Sequence, residues 1–192
     1  MRTSAVTDRA AISPAAGPRP RPIHPKHLLG WSIALGSLAG ALVSTLLIDP
    51  RPRLVWNASA SAPVGLYAVG EAAPLARGDM VIARVPVEFR MFAARRHYLP
   101  ANVPLVKRVA AAAGDEVCAA GARVTVNGQL VAWRHDRDGA GRPMPWWSGC
   151  AELRPGEYFL LMADSPASFD GRYFGVCEAG DIVGKARLIW RR

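Results

Sequence analysis

The chain has 192 residues, 51% of them hydrophobic, and a formal charge of +9 at pH 7. That length suits one domain with a short appendage. The positive charge invites nucleic acid, but it is spread from Arg2 to Arg192 with no aromatic–basic ladder and no zinc-like Cys/His spacing; no nucleic-acid partner and no metal is expected.

Residues 1–27 are rich in Pro, Ala and Arg and lack an apolar period, which predicts a disordered cytoplasmic segment. Residues 28–48 then run without a charge, long enough at about 1.5 Å per residue to cross a bilayer as a single helix. Trp31 suits an interface, Gly36 and Gly40 are spaced for helix packing, and Asp49-Pro50 stops the helix. The basic flank puts the N-terminus inside and 49–192 outside, although Arg51 and Arg53 on the far side dilute that signal. The A-S-A at 58–60 resembles a signal-peptide cleavage site. It lies well past an apolar run already too long for an h-region, so an uncleaved membrane anchor is expected.

From residue 66 the pattern becomes short apolar runs broken by Gly, Pro and Asp. Strands are predicted at 66–69, 80–85, 105–110, 116–118, 123–126, 130–133, 158–162 and 182–190. Asn127-Gly128 signals a two-residue hairpin. Gly78-Asp79, Gly114-Asp115 and Gly180-Asp181 each open a strand. Residues 86–98 predict the one short helix of the domain, with Val87, Met91, Ala94 and Tyr98 on one face and Phe89 and Phe92 packed on the sheet. Residues 134–149, with Trp146-Trp147, read as a long polar loop. The fold class is mainly β.

Three stretches hold side chains able to do chemistry. In 56–67, W-N-A-S-A-S-A-P-V-G-L-Y, Ser59 and Ser61 lie two apart and point the same way in an extended chain, next to the rigid Pro63 and the permissive Gly65. In P-L-V-K-R-V, adjacent Lys107 and Arg108 oblige one cation to face inward or toward a cleft. Lysine is rare here (Lys26, Lys107 and Lys185 only), and unlike arginine it can lose its proton when buried. A neutral amine beside a serine hydroxyl can serve as its general base. The third stretch, from Gly156 to Gly175, runs from an apolar strand into a loop bearing Asp164, Ser165, Ser168, Asp170 and Arg172. Of Cys118, Cys150 and Cys177, two could bridge outside the cytoplasm, leaving one thiol over.

Together and in this order, S-A-P-V-G-L-Y, R-G-D-M-V, P-L-V-K-R-V-A-A-A-A-G-D, and G-E-Y-F-L-L-M-A-D-S with S-F-D-G-R-Y-F-G resemble the signal peptidase family of Ser/Lys serine peptidases. The resemblance is greatest to the TraF-like conjugal-transfer branch, because S-x-P-x-G-L-Y stands in place of the S-M-x-P-T-L of housekeeping enzymes. It implies a signal-peptidase-like coiled β-sheet domain behind a single N-terminal transmembrane helix. It also implies Ser61 as nucleophile, Lys107 as general base, Ser59 as an oxyanion donor, and Asp170 orienting Lys107 or the lysine's surroundings with Arg172 as its ion-pair partner. Gly171 stands where the branch usually has serine; Ser168 is the hydroxyl that could replace the missing one. The branch further implies a Cys118–Cys150 bridge and no cofactor.

The resemblance thus implies a periplasm-facing endopeptidase that threads a prepilin or similar precursor as an extended strand, serving conjugation or type IV secretion and in some relatives cyclising the product. The rivals are a general type I signal peptidase, a non-catalytic assembly factor of the conjugation apparatus, and a tethered DNA-binding protein. The departure from S-M-x-P-T-L argues against the first, the presence of both Ser61 and Lys107 against the second, and the scattered charge against the third.

Overall fold

The computed structural model describes residues 25–47 and 52–192. The segment 1–24 and the junction 48–51 lie outside the described residues, and with them the expected disordered leader and the helix stop at Asp49-Pro50. The chain divides into two units, Met1–Pro50 and Arg51–Arg192.

In the first unit, α1 spans Pro25–Leu47. It begins before position 28, where the apolar run alone put its start, because proline is well suited to the first helical position. Its described side chains, from Leu29 to Thr45, are all exposed. Among the described residues no helix is long and apolar enough to cross a membrane.

The second unit is mainly β with its strand pairings antiparallel, and it holds a second short helix, Gly171–Phe174, besides the one expected. Its strands are β1 (Leu54–Asn57), β2 (Gly65–Val69), β3 (Met80–Ala83), β4 (Leu105–Ala111), β5 (Glu116–Ala120), β6 (Arg123–Val126), β7 (Gln129–Trp133), β8 (Gly149–Glu152), β9 (Glu157–Leu161), β10 (Val176–Glu178) and β11 (Ile182–Arg191). A seven-stranded sheet has the order β1-β2-β11-β3-β4-β9-β10, and a four-stranded sheet the order β7-β6-β5-β8. The β6–β7 hairpin turns on Asn127 and Gly128 at φ 50° and 76°, the left-handed pair that a tight hairpin needs. Cys118 and Cys150 face each other across β5 and β8 and are bridged. Cys177 is a buried free thiol whose pKa burial pushes up, which keeps it inert.

One apolar cluster, with Val81, Leu105, Val109, Leu160 and Phe174, and another, with Tyr67, Ile82, Val106 and Met162, share strands β3 and β4, so the middle of the large sheet is buried on both faces. A third, around Val117, Val124 and Phe159, joins the small sheet to the large one. β1, β8 and β10 are strands the sequence did not announce. They are three or four residues long and owe their state to an edge position beside a longer neighbour.

The helix α2 spans Val87–Arg95, shorter than 86–98, and the predicted face is wrong. Val87 and Met91 are exposed, whereas Ala93 is buried and Phe92 stacks on Phe169. Phe89 packs on the core beside Phe174. Two aromatic rings bury more apolar area than Val and Met, and they decide which side turns inward.

Candidate active site

Ser61 lies beyond the end of β1, in the turn that leads to β2. The extended geometry expected for 59–61 gives way to a turn at residues 60–61, and the turn is what brings the two hydroxyls together, Ser59 Oγ to Ser61 Oγ at 3.0 Å. Asn57, which sequence reasoning passed over, builds this corner. Its Nδ2 donates to the carbonyl oxygens of Ser59, Ala62 and Pro63 at 2.9, 3.2 and 3.1 Å, and its Oδ1 accepts from the Ser59 N–H at 3.1 Å. An asparagine directly after the apolar Leu54-Val55-Trp56 and two residues before Ser59 was the available signal. The Tyr67 hydroxyl donates to the Pro63 carbonyl at 2.8 Å, pinning the far side of the turn. At Gly65 a β-carbon would stand 2.1 Å from the Trp190 carbonyl oxygen, so glycine is required where β2 passes β11.

Lys107 projects from β4 at 3% exposure, while its neighbour Arg108 is exposed. Its Nζ donates to Ser61 Oγ at 2.8 Å and to Ser168 Oγ at 2.8 Å. Burial lowers the pKa of the amine from 10.5 to about 8; the Asp170 carboxylate raises it and the Arg172 guanidinium lowers it, both less strongly. At this proton affinity the neutral amine is accessible near neutral pH and can take the hydroxyl proton of the serine it touches.

Asp170 and Arg172 are 0% and 1% exposed and form a bidentate pair, Nε to Oδ1 at 2.8 Å and Nη2 to Oδ2 at 3.1 Å. Asp170 also accepts from the Met162 N–H at 3.1 Å and caps α3 (Gly171–Phe174) through the Arg172 N–H. Arg172 spends further donors on the carbonyls of Met162 and Pro166. The pair therefore clamps both ends of the loop 162–170 that presents Ser168. Asp170 makes no hydrogen bond to Lys107 and acts on it through its field, while its ion pair with Arg172 is formed as expected. At Gly171 a β-carbon would stand 2.7 Å from the Leu160 carbonyl oxygen and from the Phe159 ring. Packing excludes a serine there, and Ser168 supplies the hydroxyl that reaches the lysine.

These groups open into a cleft of about 730 Å³. Its walls are mostly apolar, from Trp56, Ala58, Val103, Leu105, Phe169 and Tyr173, with Ser59, Ser61, Lys107 and Ser168 among the lining residues. Of the eight residues singled out from sequence, Ser59, Ser61, Lys107, Ser168, Asp170 and Arg172 belong to this one region, and Cys118 and Cys150 lie in the small sheet.

Residues 27–191 match the family described as signal peptidase, peptidase S26. The chain belongs to that family. Its relatives place it in the TraF-like branch. It is 38% identical over 143 residues to a probable conjugal transfer protein TraF of Sinorhizobium fredii, covering 69% of this chain and 74% of that one. It is 36% identical over 147 residues to a plasmid transfer protein TraF of Escherichia coli, covering 70% and 82%. A crystallised signal peptidase I of Enterococcus faecalis shares 18% identity at a TM-score of 0.34, over 59% of this chain and 97% of that one, a likeness too slight to add to the assignment. In this member of the family the Ser61–Lys107 contact stands among the residues that line the cleft.

Proposed function

We propose that this protein is a membrane-anchored serine endopeptidase with a Ser61/Lys107 dyad, which processes a membrane-inserted prepilin or similar precursor in conjugative transfer. The observation that carries the reading is the 2.8 Å contact between Ser61 Oγ and the buried Lys107 amine inside the cleft. Lys107 takes the serine proton as Ser61 attacks the scissile carbonyl. The Ser59 hydroxyl and the Ser61 N–H, side by side in the turn, donate to the oxyanion. Lys107 then returns the proton to the leaving amine, and the acyl-enzyme passes to water or to an amine of the same precursor, which would cyclise it. Ser168 holds the amine in place, and the Asp170–Arg172 pair holds Ser168.

The names of the relatives, conjugal and plasmid transfer proteins, support placing the substrate in conjugation rather than general secretion. Anchoring is supported by α1, whose apolar Leu29, Ile33, Leu35, Leu38 and Leu42 are all exposed and so want a lipid environment. The flanks of that run, position 28 and positions 46–48, lie outside the residues whose side chains are described. In the catalytic unit the exposed Leu54, Trp56 and Trp190, with Trp56 and Trp190 rings 5.5 Å apart, form an aromatic patch of the kind that favours a membrane–water interface. The orientation follows from the basic leader, N-terminus inside and catalytic unit at the outer face of the inner membrane.

The direct test is to acid-quench the enzyme during turnover of a candidate precursor and map its peptides by mass. An acyl fragment ester-linked to Ser61 is expected; an acyl fragment elsewhere, or none while product accumulates, would remove the proposal.

A further inference from the structure

The loop 134–148 is a built arm rather than a slack connection. Asp138 is its hub: the carboxylate accepts from the N–H groups of Ala140 and Arg142, from Arg142 Nε at 2.7 Å, and from the Tyr98 hydroxyl beyond α2. Arg96 Nη1 donates across to the Pro143 carbonyl at 2.7 Å, and Arg142 Nη2 returns a bond to the Arg96 carbonyl at 3.2 Å. At the arm's other end Trp147 Nε1 donates to the Gly171 carbonyl at 3.0 Å. Residue 137 is paired in a β-bridge with Pro143, so its backbone is fixed by this scaffold.

The charge on this arm is one-sided where it faces the cleft. Apart from the phenols of Tyr98 and Tyr173, the ionisable groups lining the cleft are Lys107, His135, Arg137 and Asp138. Asp138 is spent on Arg142 and, at 3.8 Å, on Arg96. Arg137 is exposed, and among the described residues it has no carboxylate partner; its Nη1 donates to the Gly141 carbonyl at 2.7 Å. A planar guanidinium with unspent donors, carried on a bridged loop backbone beside apolar walls, is complementary to a carboxylate that can take two parallel bonds.

We infer that Arg137 is a specificity-determining residue that binds a carboxylate of the precursor segment lying in the cleft. The inference rests on the peptidase reading above, which makes the occupant a polypeptide; its carboxylates are Asp or Glu side chains and the C-terminus. Arg137 then fixes how far the chain threads before a peptide bond reaches Ser61, and the Asp138 hub is what keeps Arg137 in place.

The test uses the full-length protein in detergent–lipid micelles and a cleaved precursor peptide in four forms: native, acidic side chains amidated, C-terminus amidated, and both. Wild type, Arg137→Gln, Arg137→Lys and Ser61→Ala are compared for kcat and KM. Arg137→Gln is expected to raise KM for the native peptide about tenfold, the low end for a charge-assisted bond, with kcat unchanged. It should lose nothing more on the neutralised form, and Arg137→Lys should fall between. Loss in wild type confined to one amidated form identifies the side chain or the C-terminus as the source. Equal KM for wild type and Arg137→Gln on every form, while wild type cleaves and Ser61→Ala does not, overturns the inference and leaves the peptidase reading standing. Cleavage by Ser61→Ala at the wild-type rate overturns both.

Discussion

Lys107 and Ser168, 61 residues apart in the chain, meet at 2.8 Å, and the same amine reaches Ser61 at the same distance. A lysine amine placed by one serine and aimed at another has a fixed direction as well as a lowered proton affinity. Replacing Ser168 with Ala should lower kcat about tenfold, the rate equivalent of one hydrogen bond, with KM unchanged. Restoring a hydroxyl by Gly171→Ser in that background should not rescue it. The added β-carbon overlaps the Leu160 carbonyl and the Phe159 ring and should cost about 1–3 kcal/mol of stability, read from denaturant unfolding.

Because the free enzyme must hold Lys107 neutral to act, kcat/KM should rise with pH along a limb with a midpoint near the lysine value of about 8, falling about tenfold per unit well below it. The same shift has a stability consequence. The unfolded chain keeps this proton up to about pH 10.4 and the folded chain only to about 8, so stability from this site falls as pH drops through that window and is lowest below it. Lys107→Met should abolish activity and flatten that part of the stability profile. A midpoint unmoved from the free lysine value would contradict the burial argument.

Asp170→Asn should do two separable things. It leaves Arg172 buried without its carboxylate, which should cost about 3–5 kcal/mol of unfolding free energy. It also removes the anion that raises the Lys107 pKa, so whatever activity survives at low temperature should have its pH limb displaced toward acid. A stability loss with no displacement would confine Asp170 to holding the loop.

What the sequence made legible was chemistry carried by residue type over short range. Of the adjacent Lys107 and Arg108 one had to face inward or toward a cleft, and Lys107 is the buried one. Two serines two apart meet, though through a turn built by Asn57 rather than through strand alternation. Less legible was whatever depends on contacts between distant segments. The α2 face was set by Phe169 and Phe174, which no local period announces. The order in the arm 134–148 comes from Tyr98 and Arg96, 40 and more residues upstream, so the sequence showed only a polar loop. The Gly171 departure looked like a missing hydroxyl, and the packing at Phe159 shows why none fits.

The central claim is tested most directly by co-expressing a candidate prepilin with wild type, Ser61→Ala and Lys107→Ala, and weighing the precursor by intact-mass spectrometry. Processing by wild type alone is expected, with a product one water lighter than the hydrolysed form if the chain is closed on itself. Equal processing in all three would contradict the Ser61/Lys107 dyad and turn the reading toward a non-catalytic assembly factor.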